Sequence, residues 1–113
     1  MKKIVEQGLL YDFYGELLTE HQKEIYEAAV YNDMSLTEIA EENGISKQGV
    51  HDLIKRCTNT LQGYEDRLHM IRRFEAIKDT AQQLSRLSDS LNDDDKLKSE
   101  IRNISDRILE ELT

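Results

Sequence analysis

Five polar side chains fall on one face of a segment that is predicted to be helical: Lys47, Gln48, His51, Asp52 and Lys55. Their chemistry suits the edges of nucleic-acid bases. A carboxamide such as Gln48 pairs with adenine, and a lysine such as Lys47 contacts guanine or a phosphate. His51 is able to donate to either. Asp52 is the unfavourable member, because it would face the phosphates unless it accepts a hydrogen bond from a cytosine amino group. The pattern predicts a surface that reads DNA.

The sequence around this face predicts a helix-turn-helix over Ser35–Cys57, SLTEIAEENGISKQGVHDLIKRC. Ser35 begins a helix with the capping box SLTE, Gly44 supplies a left-handed C-cap, and Ser46 caps the next helix. The small Ala40 allows the two helices to approach closely. The buried side of the second helix is predicted to carry Val50, Leu53 or Ile54, Cys57 and Leu61. In such a motif, the start of the second helix lies in the DNA groove.

Two further helices are predicted ahead of this motif. The first spans residues 3–18, and its buried side is expected to carry Leu10, Phe13, Tyr14, Leu17 and Leu18. The second begins at Thr19 with the capping box TEHQ and runs to about residue 31, before the turn YNDM. The aromatic residues Tyr11, Phe13, Tyr14, Tyr26 and Tyr31 are expected to form the core of this N-terminal bundle.

The C-terminal half predicts an amphipathic helical hairpin. Its first apolar stripe is Leu68, Ile71, Phe74, Ile77, Ala81, Leu84, Leu87 and Leu91. The run NDDD interrupts it, with Asn92 as N-cap, and a second stripe follows: Leu97, Ile101, Ile104, Ile108 and Leu112. We therefore expect a helix-turn-helix domain of the winged-helix or sigma region 4-like kind over residues 1–63, and the hairpin over 64–113. The stripes either cover the first domain or form a homodimer interface. Their length favours the homodimer.

Composition indicates an all-α protein, because the 113 residues include no proline and only five glycines. The net charge is −8, which repels a polyanion. Residues 46–62, however, carry three cations against one carboxylate, a local net charge of +2. We expect weak DNA binding that needs a dimer.

Other classes of protein are disfavoured. No nucleophile stands at a recognisable spacing from a base, no glycine-rich phosphate loop occurs, and no metal-ligand pattern appears, so neither an enzyme nor a cofactor is predicted. No apolar run has the length of a membrane span. The N-terminus does not resemble a signal peptide, and the single cysteine suits a reducing compartment. We therefore expect a cytoplasmic protein in which Cys57 is a buried core residue.

The runs DFYGELLTEHQ, SLTEIAEENGISKQGVHDLIKR and YEDRLHM resemble the YlxM family of small bacterial proteins, over nearly the whole chain. That family is similar to region 4 of sigma-70-type factors, whose recognition helix reads a promoter element. The resemblance implies that Lys47, Gln48, His51 and Asp52 face DNA. It also implies a role in the signal recognition particle pathway, because YlxM genes typically neighbour that of its GTPase. Two functions stay open: a DNA-binding regulator, and an adaptor that contacts a protein or RNA component of that particle.

Overall fold

The computed structural model describes residues 2–90 and 95–112, which form six α-helices and one 3₁₀ turn. The elements are α1 (Lys2–Tyr14), the 3₁₀ turn (Gly15–Leu17), α2 (Glu20–Val30), α3 (Leu36–Asn43), α4 (Lys47–Leu68), α5 (Met70–Asp89) and α6 (Asp95–Glu111). These ranges contain no strand, so the all-α prediction is confirmed and the β-wing of a winged helix is absent from them. The chain divides into two compact units, Met1–Ile71 and Arg72–Thr113.

Local capping sets the starts of α2, α3 and α4, as predicted. The hydroxyl of Thr19 accepts from the backbone N–H of Gln22, whose side chain accepts from the N–H of Thr19. Ser35 and Glu38 form the same reciprocal pair at 3.1 Å. These bonds satisfy N–H groups that have no partner within the helix.

The core of the first unit consists of two clusters that meet at α4. One cluster joins α1, α2 and α4 through Leu10, Tyr14, Leu18, Tyr26, Cys57 and Leu61. The other joins α2, α3 and α4 through Ile25, Ile39, Ala40 and Val50. Leu53 and Ile54 pack against both clusters, so both of the alternatives predicted for the buried side of α4 are used. Helix α4 is therefore held from two sides.

Two residues predicted for this core are exposed instead. Leu17 is 60% exposed, because α1 ends at Tyr14 and the tighter 3₁₀ turn changes the direction of the following side chains. Tyr31 is 49% exposed, because it follows the last residue of α2. Its ring edge still contacts Tyr11, and its hydroxyl donates to the carbonyl of Gly8 and the carboxylate of Asp12.

The first unit extends beyond Gly63, where the sequence suggested a boundary. Gly63 lies inside α4, which continues to Leu68. The carboxylate of Glu65 then accepts from the hydroxyl of Tyr14 at 2.5 Å and from the N–H of Ile71 at 2.9 Å. These bonds join the end of α4 and the start of α5 to α1, so Ile71 still belongs to the first unit.

The second unit is an antiparallel hairpin of α5 and α6. Ser88 donates to the carbonyl of Lys98 at 2.8 Å, and Ser105 donates to the carbonyl of Ala81 at 2.5 Å. Among the residues that the structure describes in this unit, the fully buried side chains are those of Ala81, Ser88 and Ser105. Within this unit, four larger described residues of the predicted stripes are exposed by 44–58%: Ile77, Leu87, Leu97 and Ile104. Leu91 and the predicted N-cap Asn92 lie outside the described residues.

Candidate nucleic-acid interface

The helix-turn-helix is formed by α3, the turn at Gly44 and α4. Gly44 adopts a φ of 65°, the left-handed conformation that glycine tolerates best, and its N–H donates to the carbonyl of Ala40. The hydroxyl of Ser46 accepts from the N–H of Gly49 at 2.9 Å and starts α4. Ile39 and Val50 are completely buried on either side of the turn. The angle between the two helices is thus fixed by packing and by backbone geometry.

All five predicted site residues lie in the first turns of α4, and all are exposed: Lys47, Gln48, His51, Asp52 and Lys55. The buried residues Val50, Cys57 and Leu61 occupy the opposite face of the helix. Helical spacing therefore presents the five polar side chains as one continuous surface, which we call the reading face.

Asp52 is the centre of a local network on the reading face. The side-chain amide of Gln48 donates to its carboxylate at 2.9 Å. The Nδ1 atom of His51 lies 3.6 Å from the same oxygen, and the two form an ion pair when the imidazole is protonated. Asp52 thus orients both neighbouring side chains, while it also contributes a negative charge where DNA phosphates would approach.

The structure adds residues of α1 to this surface that the sequence analysis missed. Lys3 and Gln7 of α1 line a groove of about 340 Å³ together with His51, Lys55 and Asn59 of α4. A signal for this placement exists in the sequence. Lys3 and Gln7 precede the buried Leu10 and Tyr14 at helical spacing, so all four share one face of α1.

Cys57 lies behind the reading face and is only 1% exposed. Burial raises the pKa of its thiol, and the nearby Arg56 opposes this increase only in part. The protonated thiol is the unreactive form, since the thiolate is the nucleophile. The predicted core position of Cys57 is confirmed.

The described residues show no grouping of three or more histidine, cysteine or acidic side chains that would hold a metal ion. Across the same ranges, no helix combines the length and the apolar composition that crossing a bilayer requires. The reading face and the adjoining groove are therefore the candidate site of the first unit.

Comparison with known proteins identifies the family. A family model described as "Putative helix-turn-helix protein, YlxM / p13 like" matches residues 1–104. The chain belongs to the UPF0122 family. A UPF0122 protein of Clostridium kluyveri is 38% identical over 109 residues, which cover 91% of this chain and 98% of that relative. The resemblance noted in the sequence is thereby confirmed.

Two other UPF0122 proteins match a shorter part of the chain. The protein of Symbiobacterium thermophilum is 49% identical over 71 residues, 63% of this chain and 66% of the relative. That of Thermoanaerobacter sp. is 49% identical over 69 residues, 61% of this chain and 59% of the relative. In both cases the matched part spans less than two thirds of the relative's length. The family description names a helix-turn-helix, and the α3–α4 geometry of this UPF0122 protein agrees with it.

Proposed function

We propose that this UPF0122 protein is a DNA-binding regulatory protein whose recognition helix is α4. The observation that carries the proposal is the reading face, five exposed polar side chains at the start of a helix whose other side is fixed in the core. Gln48 is suited to an adenine edge, and Lys47 to a guanine edge or a phosphate. Lys55, further along the helix, is suited to the DNA backbone.

The charge of the chain requires two copies for useful affinity. With a net charge of −8, a single copy is repelled by phosphate. The exposed apolar side chains of the second unit, Ile77, Leu87, Leu97 and Ile104, supply a contact surface for a second copy. A homodimer would present two recognition helices and so double the number of favourable contacts.

The test is binding of the purified protein to fragments of the source genome at low salt. We expect Lys47→Glu to weaken binding to all sequences, whereas Gln48→Ala mainly reduces the preference for particular sequences. Gln62→Ala is the matched control, because Gln62 forms the same type of bond, to Asp66 at 2.9 Å, two turns beyond the predicted contact region. The shortage of cations also predicts a shallow salt dependence, equivalent to about two to four phosphates per subunit.

A second candidate function is an adaptor of the signal recognition particle, and the acidic surface of α2 and α3 favours it. The exposed carboxylates there include Glu24, Glu38, Glu41 and Glu42, which suit a basic partner protein. The test is direct binding to the purified protein and RNA components of the particle. Binding to one of them, with no DNA binding at low salt, would favour the adaptor. Either role is expected in the cytoplasm.

A further inference from the structure

The groove beside the reading face joins two elements that are distant in sequence. Its lining residues are Lys3 and Gln7 of α1, and His51, Ile54, Lys55, Thr58 and Asn59 of α4. His51 and Lys55 belong both to this groove and to the reading face. The groove is therefore a lateral continuation of the surface to which we assign DNA contact.

A buried polar contact holds α1 in register with α4 at this groove. Gln7 is only 9% exposed, and its amide donates to the hydroxyl of Thr58 at 3.2 Å. Thr58 also shares a 2.8 Å hydrogen bond with the hydroxyl of the buried Tyr26. Buried polar groups that pair specifically in this way fix one arrangement of the packed elements. The start of α1 consequently has a defined position along α4.

Lys3 lies one helical turn before Gln7, so it shares the face of α1 that borders α4. Both Lys3 and Lys55 are exposed and line the groove. Within residues 2–90 and 95–112, neither ammonium group has an ion-pair partner. Lys23 differs from them, because it pairs with Glu16 and Glu20. Two cations without ion-pair partners that line one groove favour a ligand with anionic oxygen atoms.

We propose that Lys3 and Lys55 hold a backbone phosphate of duplex DNA in the groove between α1 and α4. This inference rests on the proposed function, and it makes α1 a part of the interface. A phosphate contact from α1 would fix the position of α4 along the DNA, because phosphate contacts set the register and orientation of a protein on the duplex. The contact would also add a positive charge to a DNA-binding surface that has few cations.

The experiment measures affinity and its salt dependence for Lys3→Ala, Lys55→Ala and the double variant, on two DNA fragments of unrelated sequence. We expect Lys3→Ala to weaken binding about three- to ten-fold on both fragments, and to reduce the slope of log affinity against log salt by less than about 0.9, the value for one whole phosphate, which only the double variant should reach. The double variant should lose less binding free energy than the two single variants lose together, because both lysines would contact one phosphate.

The matched control is Lys78→Ala, an exposed lysine of the second unit, which should bind as the unmodified protein does. Circular dichroism of each variant verifies that the helices are intact. Unchanged affinity and slope in Lys3→Ala, with a clear loss in Lys55→Ala, would overturn the phosphate clamp and leave the proposed function standing. Absence of DNA binding by the unmodified protein would instead remove the proposed function, and the clamp with it.

Discussion

The side-chain amide of Gln48 donates a 2.9 Å hydrogen bond to the carboxylate of Asp52, one turn further along α4. The same pairing recurs at 2.9 Å between Gln62 and Asp66 in the later turns of that helix. Only the first pair lies on the reading face. Gln48 must therefore share or exchange this bond when it contacts a base, and the charge of Asp52 opposes the approach of phosphate.

The first prediction follows from this pair. Asp52→Asn should strengthen DNA binding several-fold at low salt, because it removes a negative charge and retains an oxygen that Gln48 can contact. Fluorescence anisotropy with a labelled duplex measures the change. Asp66→Asn alters the second pair in the same way and should have a much smaller effect. Equal effects of the two substitutions would show that only the net charge of the protein affects DNA binding. If neither substitution had an effect, Asp52 would not be part of the DNA interface.

The second prediction concerns Gly63, which lies in the interior of α4, where an added Cβ would meet no atom within 4 Å beyond its chain neighbours and the adjacent backbone of its own helix. Gly63→Ala should raise the free energy of unfolding by about 0.5–1 kcal/mol, since alanine loses less backbone entropy in a helix. Urea denaturation measures this. Gly44→Ala is the opposing control and should destabilise the fold, because Gly44 has a φ of 65°. A loss of stability in Gly63→Ala would contradict the continuous helix through residue 63.

The third prediction tests self-association through the hairpin. Ile104→Glu should convert dimers into monomers, because it places a charge in an apolar contact. Sedimentation velocity at micromolar concentration reports the change. Leu17→Glu is a suitable control, since Leu17 is also a large exposed apolar residue, at 60%, but lies in the first unit. If the unmodified protein sediments as a monomer, the dimer proposal is wrong.

The fourth prediction concerns Cys57, whose thiol is buried and has a raised pKa. Labelling by a thiol reagent should be slow in buffer and fast in denaturant, because the reagent requires an accessible thiolate. Gly44→Ala should accelerate labelling, since it increases the unfolded population. Immediate labelling of the native protein would contradict the position of Cys57 in the core.

The fifth prediction is a loss of stability at alkaline pH. Burial raises the pKa of the Cys57 thiol and of the Tyr26 hydroxyl, and burial together with Asp12 raises the pKa of Tyr31 to about 12. The unfolded chain would lose these protons first, at about pH 8.5 for cysteine and about pH 10 for tyrosine. The contribution of these groups to the free energy of unfolding should thus be fully present below about pH 8.5 and should decline as pH rises toward 12.

Urea denaturation at a series of alkaline pH values measures that decline. Tyr31→Phe removes one ionisable group, so the stability of this variant should fall less steeply between about pH 10 and pH 12. A free energy of unfolding that stays constant over this range would show that these groups have the same pKa in both states.

Features set by neighbouring residues were predicted well from the sequence. The capping boxes at Thr19 and Ser35 and the left-handed Gly44 depend on residues within one helical turn, and all three occur as expected. The burial of Val50, Cys57 and Leu61 followed from helical periodicity. Periodicity failed at Leu17, because the 3₁₀ turn interrupts the helical repeat that the prediction assumed.

Contacts between distant parts of the chain were not predictable in this way. The bonds of Glu65 to Tyr14 and Ile71 extend the first unit past Gly63, and they depend on how α1 packs on α4. The groove that unites Lys3 with Lys55 has the same origin. For the candidate site, the sequence therefore predicted the exposure of the reading face, which lies on one helix, and missed its neighbours on α1.

The small side chains at the centre of the hairpin have a consequence for how long the protein persists in a cell. Because Ala81, Ser88 and Ser105 are the fully buried residues in the described part of the hairpin, the hairpin gains little hydrophobic free energy when it folds alone. In the proposed dimer, association supplies the stabilising free energy that the isolated hairpin lacks, and this contribution grows with subunit concentration. Proteases attack the open form of a chain. At low cellular concentration, where most chains would be monomers, proteases would then cleave the C-terminal hairpin. At high concentration, dimerisation would protect the hairpin from cleavage.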